Sequence, residues 1–173
     1  SDGTLSKEEI ASGIKKGVVN NGLIPVLSGS CLFNKGVINL MDAIVKCMPS
    51  YADKVSVKAL NENGEPVEIN CDENAPFSAF VFKTIADPFV GKMNLFRVIS
   101  GKITSGATVY NANKEKSERI NNILVLRGKK QESVQSLSAG DIGAFAKLQF
   151  TGTQDTLCDA SLKIKFPMLD FPK

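Results

Sequence analysis

Apolar residues in the first part of the chain follow two different spacings. From Val37 to Met48 they recur at i, i+3, i+4 and i+7, which predicts an amphipathic helix that Pro49 ends. The apolar run at 23–27 predicts a short strand, although its proline removes one ladder hydrogen bond. Strand and helix therefore alternate here, as in an α/β domain.

A further helix is predicted over residues 4–16. Ser6 can cap its first turn, and Glu9 stands three residues later, where the second member of a capping box belongs. We expect Gly17 to end this helix. The first 50 residues are too few to complete a doubly wound sheet, so they resemble the severed end of a larger α/β domain.

Beyond Pro76 the pattern changes to short runs rich in β-branched and aromatic residues, separated by Gly, Asp, Asn and Lys. The predicted strands cover 77–86, 93–100, 107–112, 117–126, 141–149 and 161–166. Gly101 and Gly106 lie between two of these runs, and glycine adopts the positive φ that a tight reversal needs. The spacing predicts a mainly β fold, an antiparallel β-barrel.

A polar and acidic stretch at 51–75 separates the two patterns. Asn63-Gly64 and Pro66 favour turns in it, and short strands are predicted at 54–60 and 65–69. The sequence thus predicts four parts. They are an α/β remnant at 1–50, a linker with short strands at 51–75, a barrel at 76–168, and the start of a further linker at 169–173.

Charge is distributed unevenly along the chain. The net charge is +3, but residues 83–130 hold ten Lys and Arg against three Asp and Glu, whereas 61–76 hold five acids and no base. A positive block favours an anionic partner such as RNA, although any single lysine in it is more often simply solvated. The candidate RNA contacts are Lys83, Lys92, Arg97, Lys102, Arg119, Arg127, Lys129 and Lys130.

Composition excludes several kinds of site. The chain has no histidine, so Ser-His and Cys-His nucleophile pairs are impossible. Its four cysteines lie far apart without a C-x-x-C pair, which predicts reduced thiols and no metal site. No apolar run reaches the roughly 18 to 20 residues of a membrane span, and no leader peptide pattern stands at the N-terminus. We expect a cytoplasmic protein with no catalytic residues and no membrane or DNA partner.

Gly29-Ser30-Cys31 lies between a predicted strand and a predicted helix. Backbone N–H groups at such a junction can face a polar ligand, although plain turn chemistry explains such a triplet more often. No G-x-x-x-x-G-K-[ST] phosphate loop occurs in the sequence. Residues 34–37 begin like the guanine-reading N-K-x-D motif, but Val37 replaces the aspartate, so we interpret this match as accidental.

Ordered segments along nearly the whole chain resemble the elongation factor G family of translational GTPases. Those similar to the last part of its GTPase domain are 5–17, 25–37 and 40–50. Residues 75–110, with D-P-F-V-G at 87–91 and F-R-V-I-S-G at 96–101, resemble its second domain. The likeness continues in the segments 117–120, 139–142 and 151–159.

The resemblance implies that Gly29, Ser30 and Cys31 form the last of five guanine-nucleotide motifs. In that motif the Cys31 N–H would approach the guanine oxygen, at a position where the family usually has alanine. The phosphate loop and both switch regions would lie upstream. We therefore expect this fragment to have no cofactor and no GTPase activity of its own, whereas the full-length parent would use GTP and Mg²⁺.

The same resemblance implies partners for the barrel. In this family it packs on the GTPase domain, contacts small-subunit ribosomal RNA and relays nucleotide-dependent changes to later domains of the parent chain. The sequence thus predicts the ribosome and the parent's other domains as partners.

Several functions are compatible with the sequence. The D-P-F-V-G and F-R-V-I-S-G stretches favour a translocase fragment, whose parent couples GTP hydrolysis to movement of tRNA and mRNA on the ribosome. Tetracycline-resistance ribosomal protection proteins, the GTPase release factor and other elongation-factor-G-like GTPases share the same arrangement. An autonomous RNA-binding barrel is a further alternative, and it predicts measurable RNA affinity for the isolated chain.

Overall fold

The computed structural model describes residues 4–88 and 90–170. Phe89, which belongs to the D-P-F-V-G stretch, lies outside the described residues. The chain divides into two compact units, one ending at Asp53 and the other beginning at Lys54. The finer division into four parts stays a prediction.

Two helices form most of the first unit. Helix α1 covers Lys7–Val19 and helix α2 covers Val37–Cys47, and a short 3₁₀ turn follows at Tyr51–Asp53. The capping box at the start of α1 is confirmed, because Glu9 N donates to Ser6 Oγ at 3.2 Å and Ser6 N donates to Glu9 Oε2 at 2.8 Å. The capping residues therefore located the first helix, and the apolar spacing located the second.

Two predictions for the first unit are wrong. Helix α1 continues through Gly17 to Val19, and the reversal comes at Asn21, which adopts a φ of 56°. The Gly17 carbonyl accepts from Leu23 N at 3.0 Å, so this glycine belongs to the last turn of the helix. Residues 23–27 form no strand, since nothing in the described residues pairs with them and a strand needs a ladder partner.

The second unit is built from short strands. In its described part they are β1 Ser56–Leu60, β2 Pro66–Asn70, β3 Ser78–Asp87, β4 Gly91–Ser100, β5 Lys102–Thr104, β6 Thr108–Asn111, β7 Lys116–Arg119, β8 Ile123–Arg127, β9 Lys130–Val134, β10 Ser136–Ser138, β11 Ile142–Ala146 and β12 Thr156–Cys158. Strands β1 and β2 confirm the short strands predicted at 54–60 and 65–69.

All strand pairs are antiparallel. The large sheet has eight strands in the order β7-β6-β12-β3-β4-β11-β8-β9, and β1-β2 and β5-β10 form two smaller ribbons. The predicted fold class, mainly β and antiparallel, is confirmed. No pairing within the described residues joins the end strands β7 and β9, so closure of the sheet into a barrel stays a prediction.

Some predicted strands differ from those observed. The run 117–126 is interrupted, because Ile120 is fully buried and pairs outside the sheet: its N–H donates to the Ala107 carbonyl at 2.8 Å. The predicted strand 161–166 is reduced to one bridge between Leu60 and Lys165, closed by two hydrogen bonds of 2.8 Å. These segments are held by one or two backbone hydrogen bonds rather than by continuous ladders.

The largest apolar cluster of the second unit contains Phe96 and Phe145 on one face of the large sheet, and a smaller cluster with Met93, Leu124 and Ala144 lies on the other face. Phe96 of β4 stacks on Phe145 of β11, with ring centroids 3.7 Å apart. Val81, Val98 and Leu157 pack in the same cluster and are fully buried. Burial of this aromatic pair and its aliphatic neighbours is the main stabilising contribution to the unit.

The reversal predicted between the runs 93–100 and 107–112 is present at Gly106, which has a φ of 88° in a turn where Ala107 N donates to the Thr104 carbonyl at 3.2 Å. Gly101, between β4 and β5, is also constrained. Its φ is 69°, and a Cβ at this position would lie 2.5 Å from the Ala75 carbonyl oxygen and 2.7 Å from Phe77 Cα. Two independent constraints, conformation and space, therefore require glycine here. Asp141 lies in a turn just before β11, where its carboxylate accepts from Ser138 N at 2.9 Å.

Candidate functional site

The Gly29-Ser30-Cys31 segment forms one side of a narrow loop that leads into α2. Ser30 N donates to the Lys35 carbonyl at 2.9 Å, and Lys35 N donates back to the Ser30 carbonyl at 3.0 Å. A Cβ on Gly29 would lie 2.8 Å from the Lys35 carbonyl oxygen, so the two sides approach as closely as backbones can. The loop is therefore held by its own backbone.

Gly36 closes this loop and is the N-cap of α2. It adopts a φ of 76°, and a Cβ there would lie 2.7 Å from the Ser28 carbonyl oxygen. Ser30 Oγ accepts a hydrogen bond from Phe33 N at 3.4 Å. These contacts fix the orientation of the peptide groups between Ser28 and Gly36.

Cys31 presents the donor that the sequence singled out. Its backbone N–H has no hydrogen-bond partner among the described residues, and the residue is exposed. Gly29, Ser30 and Cys31 are among the residues that line a cavity of about 160 Å³, and its lining also includes Leu27 and Leu40. A free N–H beside an apolar cavity can donate a hydrogen bond to a carbonyl oxygen at the edge of a planar ring. The guanine contact of Gly29, Ser30 and Cys31 stays a prediction.

The eight predicted RNA contacts do not lie together. Lys83 is on β3, Lys92 and Arg97 on β4, Lys102 on β5, Arg119 on β7, Arg127 on β8, Lys129 in the β8–β9 turn and Lys130 on β9. All are exposed except Lys92, which is half-buried. Lys92 and Arg97 are five residues apart on one strand, so their side chains project from opposite faces. The positive block in the sequence is thus more than one surface.

Lys83 and Arg97 share the outer face of the large sheet, the face opposite Phe96 and Phe145. Lys83 of β3 pairs with Leu95 of β4, so these two side chains project from the same face. Arg97 follows Leu95 by two residues on β4 and therefore projects from that face as well. Arg97 is also paired with Ile142 of β11, whose side chain is 52% exposed. This face combines two cations with an exposed apolar side chain.

Arg127 and Lys130 are partly neutralised. Both contact the carboxylate of Glu132, at 3.7 Å for Arg127 Nε and 3.1 Å for Lys130 Nζ. Exposed pairs of this kind add little stability, but they lower the positive potential that a phosphate would meet. These two residues are therefore weaker candidates than the sequence suggested.

Lys116, Lys147 and Phe150 were missed by sequence reasoning as members of a site. Lys116 Nζ lies 4.1 Å from the centroid of the Phe150 ring, a cation–π contact between strand β7 and the segment after β11. Lys147, with a φ of 62°, lies beside them in a groove that also contains Arg119. Lys116 and Lys147 are 31 positions apart, so no periodic pattern in the sequence indicates that they belong to one site. Only the fold brings them together.

A buried carboxylate fixes the segment after β11. Glu118 is 7% exposed, and its two oxygens accept from the backbone N–H groups of Gln149 at 2.6 Å, Phe150 at 3.0 Å and Thr151 at 3.0 Å. The Thr151 hydroxyl donates to the same carboxylate, and Asn111 Nδ2 donates to Thr151 Oγ1 at 3.0 Å. This network satisfies the charge without a cation, as a carboxylate held by several N–H groups can.

The cysteines give no sign of a metal or redox centre in the described residues. All four are free, and no group of three or more Cys, Asp or Glu is placed to hold a metal ion there. Burial raises the pKa of the Cys158 thiol, so this sulfur stays protonated.

None of the described helices has the length and apolar character needed to cross a bilayer.

Comparison with known proteins gives one consistent family. The family model described as elongation factor G domain 2 matches residues 76–160. Proteins named elongation factor G from Ureaplasma parvum serovar 3 and from Ureaplasma urealyticum serovar 10 are each 44% identical to the chain over 155 residues, or 90% of its length. The chain spans only 22% of the length of these relatives.

A solved structure supports the fold. A crystal structure of a protein from Thermus thermophilus superposes with a TM-score of 0.69 and 22% sequence identity, over 98% of this chain and 23% of that one. At this identity the likeness bears on the fold alone. Because residues 76–160 match the family's own second domain and nine-tenths of the sequence aligns with its curated members, the chain belongs to the elongation factor G family.

Proposed function

We propose that this chain is the junction of the GTPase domain and the second domain of a ribosomal translocase. Its parent would couple GTP hydrolysis to the movement of tRNA and mRNA, and the second unit would dock on small-subunit ribosomal RNA. Membership of the elongation factor G family supports this function. The chain spans only 22% of the length of these relatives, which supports a role as one part of a larger protein.

One observation in the structure carries the docking proposal. Lys83 and Arg97 project from the same outer sheet face, with the exposed Ile142 beside Arg97. A cationic pair on a rigid sheet can contact the phosphate backbone at a fixed spacing, and an apolar neighbour adds contact area. The core face, by contrast, is filled by Phe96 and Phe145 and offers no surface.

We also propose that GTP and Mg²⁺ bind the parent rather than this chain alone. The free Cys31 N–H and the glycine-bounded loop suit contact with the guanine ring. The sequence has no G-x-x-x-x-G-K-[ST] loop to hold the phosphates. The loop would therefore help to select guanine, without hydrolysis, in a cytoplasmic factor.

Binding of the purified chain to isolated small ribosomal subunits tests the docking proposal. Pelleting at two salt concentrations should show weak binding that falls as salt rises, because phosphate contacts release counterions. The double variant Lys83→Gln/Arg97→Gln should bind more weakly than Lys54→Gln/Lys58→Gln, which removes the same number of exposed positive charges on and just before β1. Absence of binding even at low salt would overturn the proposal. Equal affinity for small subunits and for unrelated RNA would favour an autonomous RNA-binding unit.

A further inference from the structure

Two neighbouring depressions on the second unit form one continuous groove. The first, of about 370 Å³, includes Val90, Asn122, Leu124 and Ala146. The second, of about 260 Å³, includes Arg119 and Phe150. Asn121 and Lys147 line both, so we call the whole depression the Asn121 groove.

The Asn121 groove continues the outer sheet face that carries Lys83. The strand register places Lys83 across from Leu95, Leu95 across from Ala144, and Ala144 across from Leu124. Residues directly opposite one another share a face of the sheet. Leu124, in the apolar floor of the groove, therefore lies in the same row as Lys83.

The exposed charge of the groove is positive. Arg119 and Lys147 line it, and neither forms an ion pair with any residue in the described ranges. Lys116 adds a third positive charge over the Phe150 ring. The acidic residue in the lining, Glu118, is buried with both oxygens bonded to N–H groups. A ligand in the groove meets cations and amides.

The walls of the groove are fixed before any ligand binds. Glu118 holds the backbone from Gln149 to Thr151, and Lys147 N donates to the Lys92 carbonyl of β4 at 2.9 Å. Ser105 Oγ donates to the Asn121 carbonyl at 2.6 Å. A preformed site loses little conformational entropy on binding.

We propose that the Asn121 groove binds an unpaired nucleotide of a single-stranded RNA segment. The apolar floor formed by Leu124, Val90 and Ala146 suits the face of a base, and the side-chain amides of Asn121 and Asn122 suit its edge. Lys147 and Arg119 then meet the flanking phosphates. Bases inside a duplex are stacked and paired, so a double helix offers nothing to this floor. This inference rests on the proposed function, because it takes RNA as the partner. It adds to that function the place where RNA binds and the requirement that the RNA be single-stranded.

Fluorescence anisotropy of the full 173-residue chain tests this groove. The probes are a labelled 12-nucleotide RNA of mixed sequence and the duplex that it forms with its complement. We expect the single strand to bind more tightly than the duplex. Lys147→Gln should weaken it and lower the salt slope by about 0.7. Ala146→Leu fills the floor without changing charge, so it should weaken binding and leave the slope unchanged.

Two further variants keep the outcome interpretable. Asn122→Ala changes an exposed side chain and should also weaken single-strand binding, so the test survives if Ala146→Leu fails to fold. Lys58→Gln removes an exposed charge from β1 and should bind as wild type. Equal affinity for the single strand and the duplex would overturn the proposal that the Asn121 groove binds single-stranded RNA. Wild-type affinity in both the Ala146→Leu and Asn122→Ala variants would overturn it as well.

The groove and the docking proposal fail in different ways. If groove variants bind oligonucleotide normally while small-subunit binding still depends on Lys83 and Arg97, the groove is wrong and the proposed function stands. If oligonucleotide binding needs the groove but small subunits are not bound at any salt concentration, the groove stands as an RNA site and the docking function is wrong.

Discussion

The substitution Glu118→Gln tests whether one buried carboxylate holds the segment after β11. In the native chain each oxygen accepts two hydrogen bonds: one from Gln149 N and Phe150 N, the other from Thr151 N and the Thr151 hydroxyl. A glutamine keeps one acceptor oxygen and turns an NH₂ group toward the other two donors. With the amide turned toward Thr151, both donors that lose their partner belong to this fully buried residue: its N–H and its hydroxyl.

The expected cost follows from these contacts. A hydrogen bond to a charged group contributes roughly 1.5–3 kcal/mol, and leaving a buried donor unpaired costs about 1–3 kcal/mol. Since the threonine hydroxyl can rotate to another acceptor, one lost backbone partner dominates, and we expect the second unit to lose about 3 kcal/mol of unfolding free energy.

Urea unfolding, followed by far-ultraviolet circular dichroism, measures this loss. The matched control is Glu115→Gln, the same change at an exposed glutamate in the β6–β7 turn, which should stay within about 0.5 kcal/mol of wild type. A Glu118→Gln variant as stable as that control would refute the reasoning, because the carboxylate would then contribute nothing beyond its volume.

Three further predictions concern other parts of the chain. Gly101→Ala should destabilise the second unit by more than about 2 kcal/mol in urea unfolding, since its φ is 69° and a backbone oxygen lies 2.5 Å from the new Cβ; near-native stability would contradict this. The hydrogen bonds from Ser6 lower the pKa of Glu9, so the capping box should be intact above the ordinary glutamate pKa and be lost as pH falls through the lowered one. A titration of the Glu9 side-chain carboxyl by NMR checks this, and a pKa at or above the usual value would contradict it. With a thiol reagent under native conditions, Cys31 should react quickly and Cys158 only on unfolding, because Cys158 is fully buried and its pKa is raised; equal rates would be contrary.

Local signals in the sequence predicted the elements that depend on local physics. The helix at Val37–Cys47 follows from its apolar spacing, and the start of the first helix follows from Ser6 and Glu9. The end of the first helix did not follow from Gly17, because a glycine can also occupy the last helical turn when a later residue, here Asn21, adopts the left-handed conformation.

Non-local features escaped prediction. The strand expected at 23–27 has suitable residues but finds no partner in the described residues, and a strand exists only through its neighbours. Lys83 and Arg97 come together only through the register of β3 and β4, which is shifted by an irregularity between Val81 and Lys83. The spacing of apolar residues could not indicate which domains the chain contains or their order. That prediction came from the resemblance to the elongation factor G family.

Chemical footprinting of small-subunit ribosomal RNA tests the central claim most directly. Saturating chain at low salt should protect a discrete set of nucleotides, and Lys83→Gln/Arg97→Gln should remove that protection while Lys54→Gln/Lys58→Gln preserves it. No protection, or protection that the double variant leaves unchanged, would contradict docking through the outer face of β3 and β4.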